Sequence, residues 1–401
     1  MTNIYFSVVT LSFGDPFSQN AENYGLPPLK DSEKPRCYIN QEKGNSCDRT
    51  AFFANIDSRQ PVYRANTKPI YSNTAFIVLG YALETISGRS YEDILQSIVD
   101  VLNLTGTSQA KPHDSRGVIP FNVSYSNWAI DLGDGNPTGG LYSSANDLSK
   151  LGRAILNNTL LHPNTTRAWL KPTAFTSDLV FAVGRPWEIY RADTIPTRGV
   201  IDIYAKNGNI GMYHTFFAVV PDYNIGIVAI VGGPGDHTWI RSSIVDIVFP
   251  ALEAAAREQA QASYAGTYRA TNGLNSSLTL STSMDAPGLG ITKWISNGTD
   301  MMEALSILMG TPLGPDILRI FPTNLEQENS DGTTDVSWRI SFDAPTHRQP
   351  SGPFSACGTW FAVDGISYGE HGIDQIQFTI GEDGRAISIS PRAFNIVMEK
   401  V

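Results

Sequence analysis

The chain alternates between stretches with a readable hydrophobic period and stretches without one. Residues 1–68 belong to the second kind. Pro16, Gly25, Pro27, Pro28, Pro35 and Gly44 punctuate them, no period persists, and they read as loop. The first clear period follows Pro69: Ala75, Leu79, Ala82, Leu83 and Ile86 share one side of a helix that Gly88 ends. A second helix is capped by Ser90, with Asp93 three residues on and Ile94, Ile98, Val101 and Leu102 inward. Residues 103–142 are loop-like and end in Gly139 and Gly140, which either let backbone pass close to a substrate or a neighbouring strand or close a plain tight turn. Ser144-Ala145-Asn146-Asp147 then opens a third helix with Leu148, Leu151 and Ile155 inward.

From Val200 the period shortens. Val200–Lys206, Met212–Val220 and Ile225–Val231 form an antiparallel meander, with Asn207-Gly208 and Pro221-Asp222-Tyr223-Asn224 as its connections. Residues 238–260 predict a helix that buries Ile240, Ile244, Ile247 and Val248 before a solvated Ala/Glu/Gln-rich tail. Beyond it lie short alternating runs: Ser277–Leu280, Gly290–Trp294, Ile317–Phe321, Val336–Phe342, Thr359–Val363, Ile376–Ile380 and Ala386–Ser390. Many short strands at close spacing predict a small barrel or sandwich. The 401 residues exceed one compact core. The expected organisation is an α+β domain over 1–257, an antiparallel sheet with packed helices, followed by an all-β, barrel-like domain over 258–401.

Composition narrows the function classes. Hydrophobic residues make up 41% and charged residues 17%, an ordinary globular balance. The net charge of −10 and the absence of a basic run argue against nucleic acid and anionic membrane as partners. No apolar run approaches the ~18 residues that span a bilayer. Ile4–Leu11 is mildly apolar but lacks the basic start and small-residue end of a signal peptide, and the compartment is left open. Cys37 and Cys47 flank a polar loop and either close a disulfide or remain loop thiols; Cys357 is the third cysteine. Sequons begin at Asn103, Asn122, Asn157, Asn164, Asn275 and Asn297, a faint sign of secretory ancestry, since roughly four arise by chance. The six histidines are scattered without ligand spacing, so no metal site is expected, and no cofactor fingerprint appears.

Two short stretches carry candidate chemistry. Tyr71 and Asn73 stand at the entry to the first helix, where side chains can face a cleft. A tyrosine beside lysine ammonium groups can take a proton from a hydroxyl, and an asparagine amide can hold a substrate amide. The bland alternative is a packing aromatic and a turn residue. In Lys206-Asn207-Gly208, a cation ends a strand and a glycine leaves room for substrate to pair along the strand edge. The alternative there is a hairpin turn with a solvated lysine.

Three segments then acquire a common meaning. Pro69–Gly88, Asn136–Leu156 and Tyr204–Gly232 resemble, in order and spacing, the Tyr-x-Asn, following, and Lys-Thr/Ser-Gly segments of the serine β-lactamase and penicillin-binding-protein family, with the class C β-lactamase and esterase branch nearest. Gly25–Leu29, the cysteine pair and the β-rich tail resemble a fungal subgroup, some of whose members lie in natural-product gene clusters. The resemblance implies a β-lactamase/transpeptidase-like first domain. It implies Tyr71 as proton acceptor, Asn73 as substrate ligand, Lys206 as electrostatic partner, and Asn207 and Gly208 as substrate-binding. Asn207 stands where Thr or Ser is usual, which bears against carboxylate recognition there.

The family's nucleophile belongs to a Ser-x-x-Lys motif placed farther upstream of the tyrosine than this chain extends, so the domain is expected to be N-terminally truncated. Ser108-Gln109-Ala110-Lys111 matches the letters, but it follows Tyr71, and Pro112 disfavours the helical turn that would align its ends. Gly365-Ile366-Ser367-Tyr368-Gly369 matches a nucleophile-elbow pattern, yet a strand rather than a helix is expected after it, so it reads as a turn between strands. The expected function is hydrolysis or acyl transfer on an ester or amide of a small molecule, and the resemblance implies a fungal biosynthetic setting. The rival expectation is a non-catalytic remnant or small-molecule-binding protein that keeps the cleft.

Overall fold

A computed structural model describes residues 21–33, 48–193, 199–235, 237–310, 312–342 and 362–401. The three cysteines and most of the expected run Thr359–Val363 lie outside these residues; Ala362 and Val363, which are described, are not in a strand. The chain divides into two compact units. One holds the described residues up to Ala192 with Ile201–Ser243; the other holds Asp193, residues 199–200 and Ile244–Val401. The boundary expected at 257/258 and this division fall within one helix, Thr238–Ser263.

The helices of the first unit are α1 (Arg49–Asp57), α2 (Asn73–Ser87), α3 (Tyr91–Val101), α4 (Val123–Ser126), α5 (Ala145–Leu156) and α6 (Pro163–Trp169), with the start of α7 (Thr238–Ser263). The expected caps are in place: the Ser90 and Ser144 hydroxyls accept from the amides of Asp93 and Asp147. Residues 1–68 were expected to be loop throughout, but α1 is a helix that starts on Asp48, whose carboxylate accepts from the Ala51 amide at 2.7 Å. Its Phe52 and Ile56 pack on Ile77 and Tyr81 of α2. Ala51 and Phe53 join them, but the apolar residues of this nine-residue helix run nearly together, too short a stretch to stand out as a period.

The inward face of α2 also differs from expectation. Thr74, Ile77, Gly80 and Tyr81 are buried, whereas Ile86 is 84% exposed. A helix apolar nearly all round does not declare its inward side. Gly80 settles it: a Cβ there would stand 2.6 Å from Pro137 Cγ, so its bare backbone is what lets the 133–138 turn lie against the helix. Gly139 and Gly140 close that turn, both amides donating to the Asn136 carbonyl.

The sheet of this unit runs β1 (Ala174–Phe175), β2 (Phe181–Val183), β3 (Glu188–Ala192), β4 (Ile201–Ile210), β5 (Tyr213–Val220) and β6 (Ile225–Gly232), each antiparallel to the next. Its core joins Ile155 of α5 and Leu170 to Trp187, Ile189, Tyr204 and Val219. The meander is as expected except at its first connection. Asn207 and Gly208 lie inside β4, paired with Phe216 and Thr215, and the turn falls at Gly211, where φ is +53°. Pairing continues through Asn209 with His214 and Ile210 with Tyr213, so the ladder outcompetes the turn preference of Asn-Gly. In α7 the buried residue is Phe249 and not Ile247, which is 71% exposed.

The second unit is a closed antiparallel barrel. Its strands β7 (Gly266–Ala270), β8 (Ser277–Ser281), β9 (Leu289–Ser296), β11 (Arg319–Glu328), β12 (Thr334–Ser341), β15 (Gln375–Ile380), β16 (Ala386–Pro391) and β17 (Met398–Lys400) pair in that order, and β17 returns to β7. β10 (Thr299–Asp300) extends β9, and β13 (Ser367–Tyr368) with β14 (His371–Gly372) makes a separate hairpin. Tyr268, Leu278, Leu289, Trp294, Ile320, Ile376, Phe378 and Met398 fill the interior, and helix α8 (Met301–Met309) adds Leu305. Full closure leaves the ring without an edge.

Candidate functional site

Tyr71 is held just outside α2, where the Ser72 hydroxyl caps the helix by accepting from the Ala75 amide at 3.1 Å. This extended N-cap leaves Tyr71 58% exposed, and its hydroxyl donates to Asn73 Oδ1 at 3.0 Å. The two residues expected at the site therefore contact each other directly.

Lys206 arrives from the sheet. β3 pairs with β4 only from Ile201 to Ala205, so from Lys206 to Ile210 β4 runs past the end of its neighbour. The Lys206 ammonium lies 5.2 Å from the Tyr71 ring centroid, within cation–π range. It donates to Glu188 Oε1 at 2.8 Å and to the Asn207 carbonyl at 2.7 Å.

Asn207 and Gly208 flank this cation. The Asn207 amide nitrogen donates to Glu188 Oε2 and, at 2.8 Å, to the Tyr190 hydroxyl, while its oxygen accepts from Arg241. Gly208 gives room across the strand pair: a Cβ there would come 2.5 Å from Thr215 Oγ1. On the face of β4 that carries Asn207, a cavity of about 270 Å³ is lined by Asn207, Asn209, His214, Phe216, His237 and Arg241. The His214 and His237 rings meet edge to face at 4.8 Å.

Glu188, Tyr190 and Arg241 were not singled out from the sequence. Glu188 and Tyr190 alternate on β3, a period-2 signal too short to stand alone. Arg241 sits in the first turn of α7 with its guanidinium 5.5 Å from the Phe216 ring centroid, and no local motif points from it to Asn207. Burial first, then the Glu188 carboxylate, pushes the Tyr190 phenol above its ordinary range, against the Asn207 hydrogen bond and Arg241.

The two decoys are elsewhere. Ser108 bridges to Tyr142 through its backbone and donates from its hydroxyl to the Ala110 carbonyl, while Lys111 pairs with Asp114. Ser367 lies in the β13–β14 hairpin. Among the described residues no group of three or more His, Cys, Asp or Glu is arranged to hold a metal ion. No described helix is long and apolar enough to cross a membrane.

The first unit matches the family model described as Beta-lactamase over residues 23–238. Residues 256–401 match that described as Beta-lactamase-like-like, C-terminal domain. The chain is 30% identical over 395 residues to a "Beta-lactamase-like protein" of Arthroderma benhamiae, covering 91% of this chain and 66% of the relative. It is 30% identical over 400 residues to "Probable hydrolase clz13" of Cochliobolus lunatus, covering 94% of this chain and 62% of the relative. It thus spans just under two thirds of the length of these relatives. The octameric penicillin-binding protein homologue of Pyrococcus abyssi is similar at a TM-score of 0.43 and 15% identity, over 84% of this chain and 73% of that one.

Proposed function

Because this chain belongs to the β-lactamase family, we propose that the surface where Tyr71 and Lys206 meet serves acyl transfer or hydrolysis on an ester or amide of a small molecule. Tyr71 relays a proton from the hydroxyl that attacks the acyl carbon to the leaving group, accepting one proton as it gives up its own. Asn73 orients the Tyr71 hydroxyl and holds the substrate amide or ester. Lys206 supplies the positive field, and the β4 run beyond Ala205 offers its backbone for pairing with substrate. Asn207 acts through Glu188, and Gly208 keeps the strand surface low. The pathway we favour is the fungal small-molecule biosynthesis implied by the resemblance.

One observation carries this reading: Tyr71 and Lys206, remote in sequence, stand together where β4 outruns β3. The experiment is hydrolysis of p-nitrophenyl acetate and butyrate by the chain and by its Tyr71→Phe variant. The expected loss in kcat/KM is about 10²- to 10⁴-fold. Unchanged turnover overturns the role given to Tyr71. A second reading, a site that binds small molecules without turnover, draws on the Lys206–Glu188 pair, which already satisfies the cation. It is selected if ligands bind and neither protein hydrolyses them.

A further inference from the structure

We propose that Glu188 sets substrate specificity: its carboxylate fills the corner where Lys206 and Asn207 would otherwise receive a carboxylate from the substrate, so the site takes neutral acyl groups. This rests on the reading of this surface as an acyl site and names its substrate class.

The corner is built as an anion receptor. Its donors are the Lys206 ammonium, the Asn207 amide nitrogen and the Tyr190 hydroxyl, the last at 3.4 Å from Glu188 Oε2. Both carboxylate oxygens are engaged, and the Glu188 side chain is only 19% exposed. The amide of Asn207 is itself oriented by Arg241, so the receptor is braced from α7 as well as from β3 and β4.

The identity of residue 207 fits this occupancy. A hydroxyl residue has one hydrogen to donate; an asparagine amide has two. Asn207 uses them on Glu188 and Tyr190 at once. The departure from the usual Thr or Ser thus goes with a protein carboxylate held in place. A substrate carboxylate approaching Lys206 would meet a pair already neutralised and a like charge beside it. Displacing Glu188 would strip a largely buried anion of its donors. A neutral ester or amide meets neither obstacle.

The test is equilibrium binding of phenylacetate and of its methyl ester, followed by NMR titration, to the chain and to Glu188→Gln. The wild-type chain is expected to bind the ester at least about tenfold more tightly than the anion. Glu188→Gln is expected to shift the ratio of the two affinities about tenfold toward phenylacetate. The double variant with Lys206→Ala should lose that shift. Asn207→Ser, which removes one anchor of Glu188, should give a smaller shift and serves if Glu188→Gln fails to fold. Equal wild-type affinities for the two compounds, or a folded Glu188→Gln with no shift, overturns the proposal. Binding of neither compound to any variant removes the proposal together with the acyl-site reading. Selectivity as expected, with turnover unaffected by Tyr71→Phe, overturns the catalytic role alone.

Discussion

Arg319 in the barrel and Lys206 in the sheet are both cations drawn into the protein, and they are satisfied in opposite ways. Arg319 is 2% exposed, and its guanidinium donates to the carbonyls of Ala286, Pro287, Gly288 and Pro315. Burial lowers its pKa below the ordinary value, against the nearby Asp316. It stands on β11, in a ring of strands around one continuous core. Lys206 keeps 34% of its side chain exposed, pairs with a carboxylate, and stands where β4 has outrun its neighbour. A cation saturated by backbone locks a loop. A cation at an unfinished edge, held by a side chain, leaves backbone groups available to a ligand.

The sharpest way to break this contrast is to remove each cation. Arg319→Ala is expected to cost about 3–5 kcal/mol, since it removes a guanidinium only 2% exposed together with its hydrogen bonds to four carbonyls, that of the buried Ala286 among them. Lys206→Ala is expected to cost less, about 1–2 kcal/mol, because Lys206 is 34% exposed and Glu188 keeps its bonds from Asn207 and Tyr190. Urea unfolding followed by tryptophan fluorescence measures both. Equal losses would mean that Lys206 is as structural as Arg319.

The contrast also marks what could be read before the structure. Tyr71, Asn73 and Lys206 stood out as candidates through the order and spacing of three segments that resemble a known family, not through their local patterns, which suit a packing aromatic and turns as well. Glu188 did not, because it reaches Lys206 through the register that sets it opposite Ala205, and register is a long-range property. The meander was legible from its alternation, but the Asn207-Gly208 turn was misplaced because a local turn preference lost to cross-strand pairing. In the barrel, most interior strands showed their period, whereas β7 and β17, which close it, are short and half polar. Helix α8 carried two legible signals, the Asp300 cap and Gly310 in the left-handed conformation, masked by an apolar run that also suits a strand.

Crowding the β4 edge sharpens the comparison from the other side. Gly208→Val brings a branched side chain onto Thr215, whose hydroxyl stands 2.5 Å from the site of the new Cβ. Overpacking of this kind costs about 1–3 kcal/mol. Thr215→Ala should relieve part of it, so the two changes are expected to be non-additive in a double-mutant cycle read by thermal melting. Additivity would show that Gly208 is required for something other than the room it leaves Thr215.

The smallest expected effect concerns what holds the helices of the sheet unit, where small clusters replace the single core of the barrel. The Tyr81 ring packs on Phe52 and carries the Arg49 guanidinium 4.3 Å above it, while its hydroxyl donates to Asp134 Oδ2 at 2.8 Å. Tyr81→Phe keeps the packing and removes the hydroxyl, for an expected loss of about 1 kcal/mol at neutral pH. Burial, and next the bond to Asp134, raises the phenol above its ordinary value of 10.0. The folded chain therefore keeps this proton to higher pH than the unfolded chain. The stabilisation is complete below that ordinary value and declines as pH rises beyond it toward the folded-state pKa. Melting temperatures of the wild-type chain should fall above pH 10, and those of Tyr81→Phe should fall less, so the gap between them narrows. A gap that stays constant from pH 7 to 11 would show that the hydroxyl gives this helix layer no proton-linked stability.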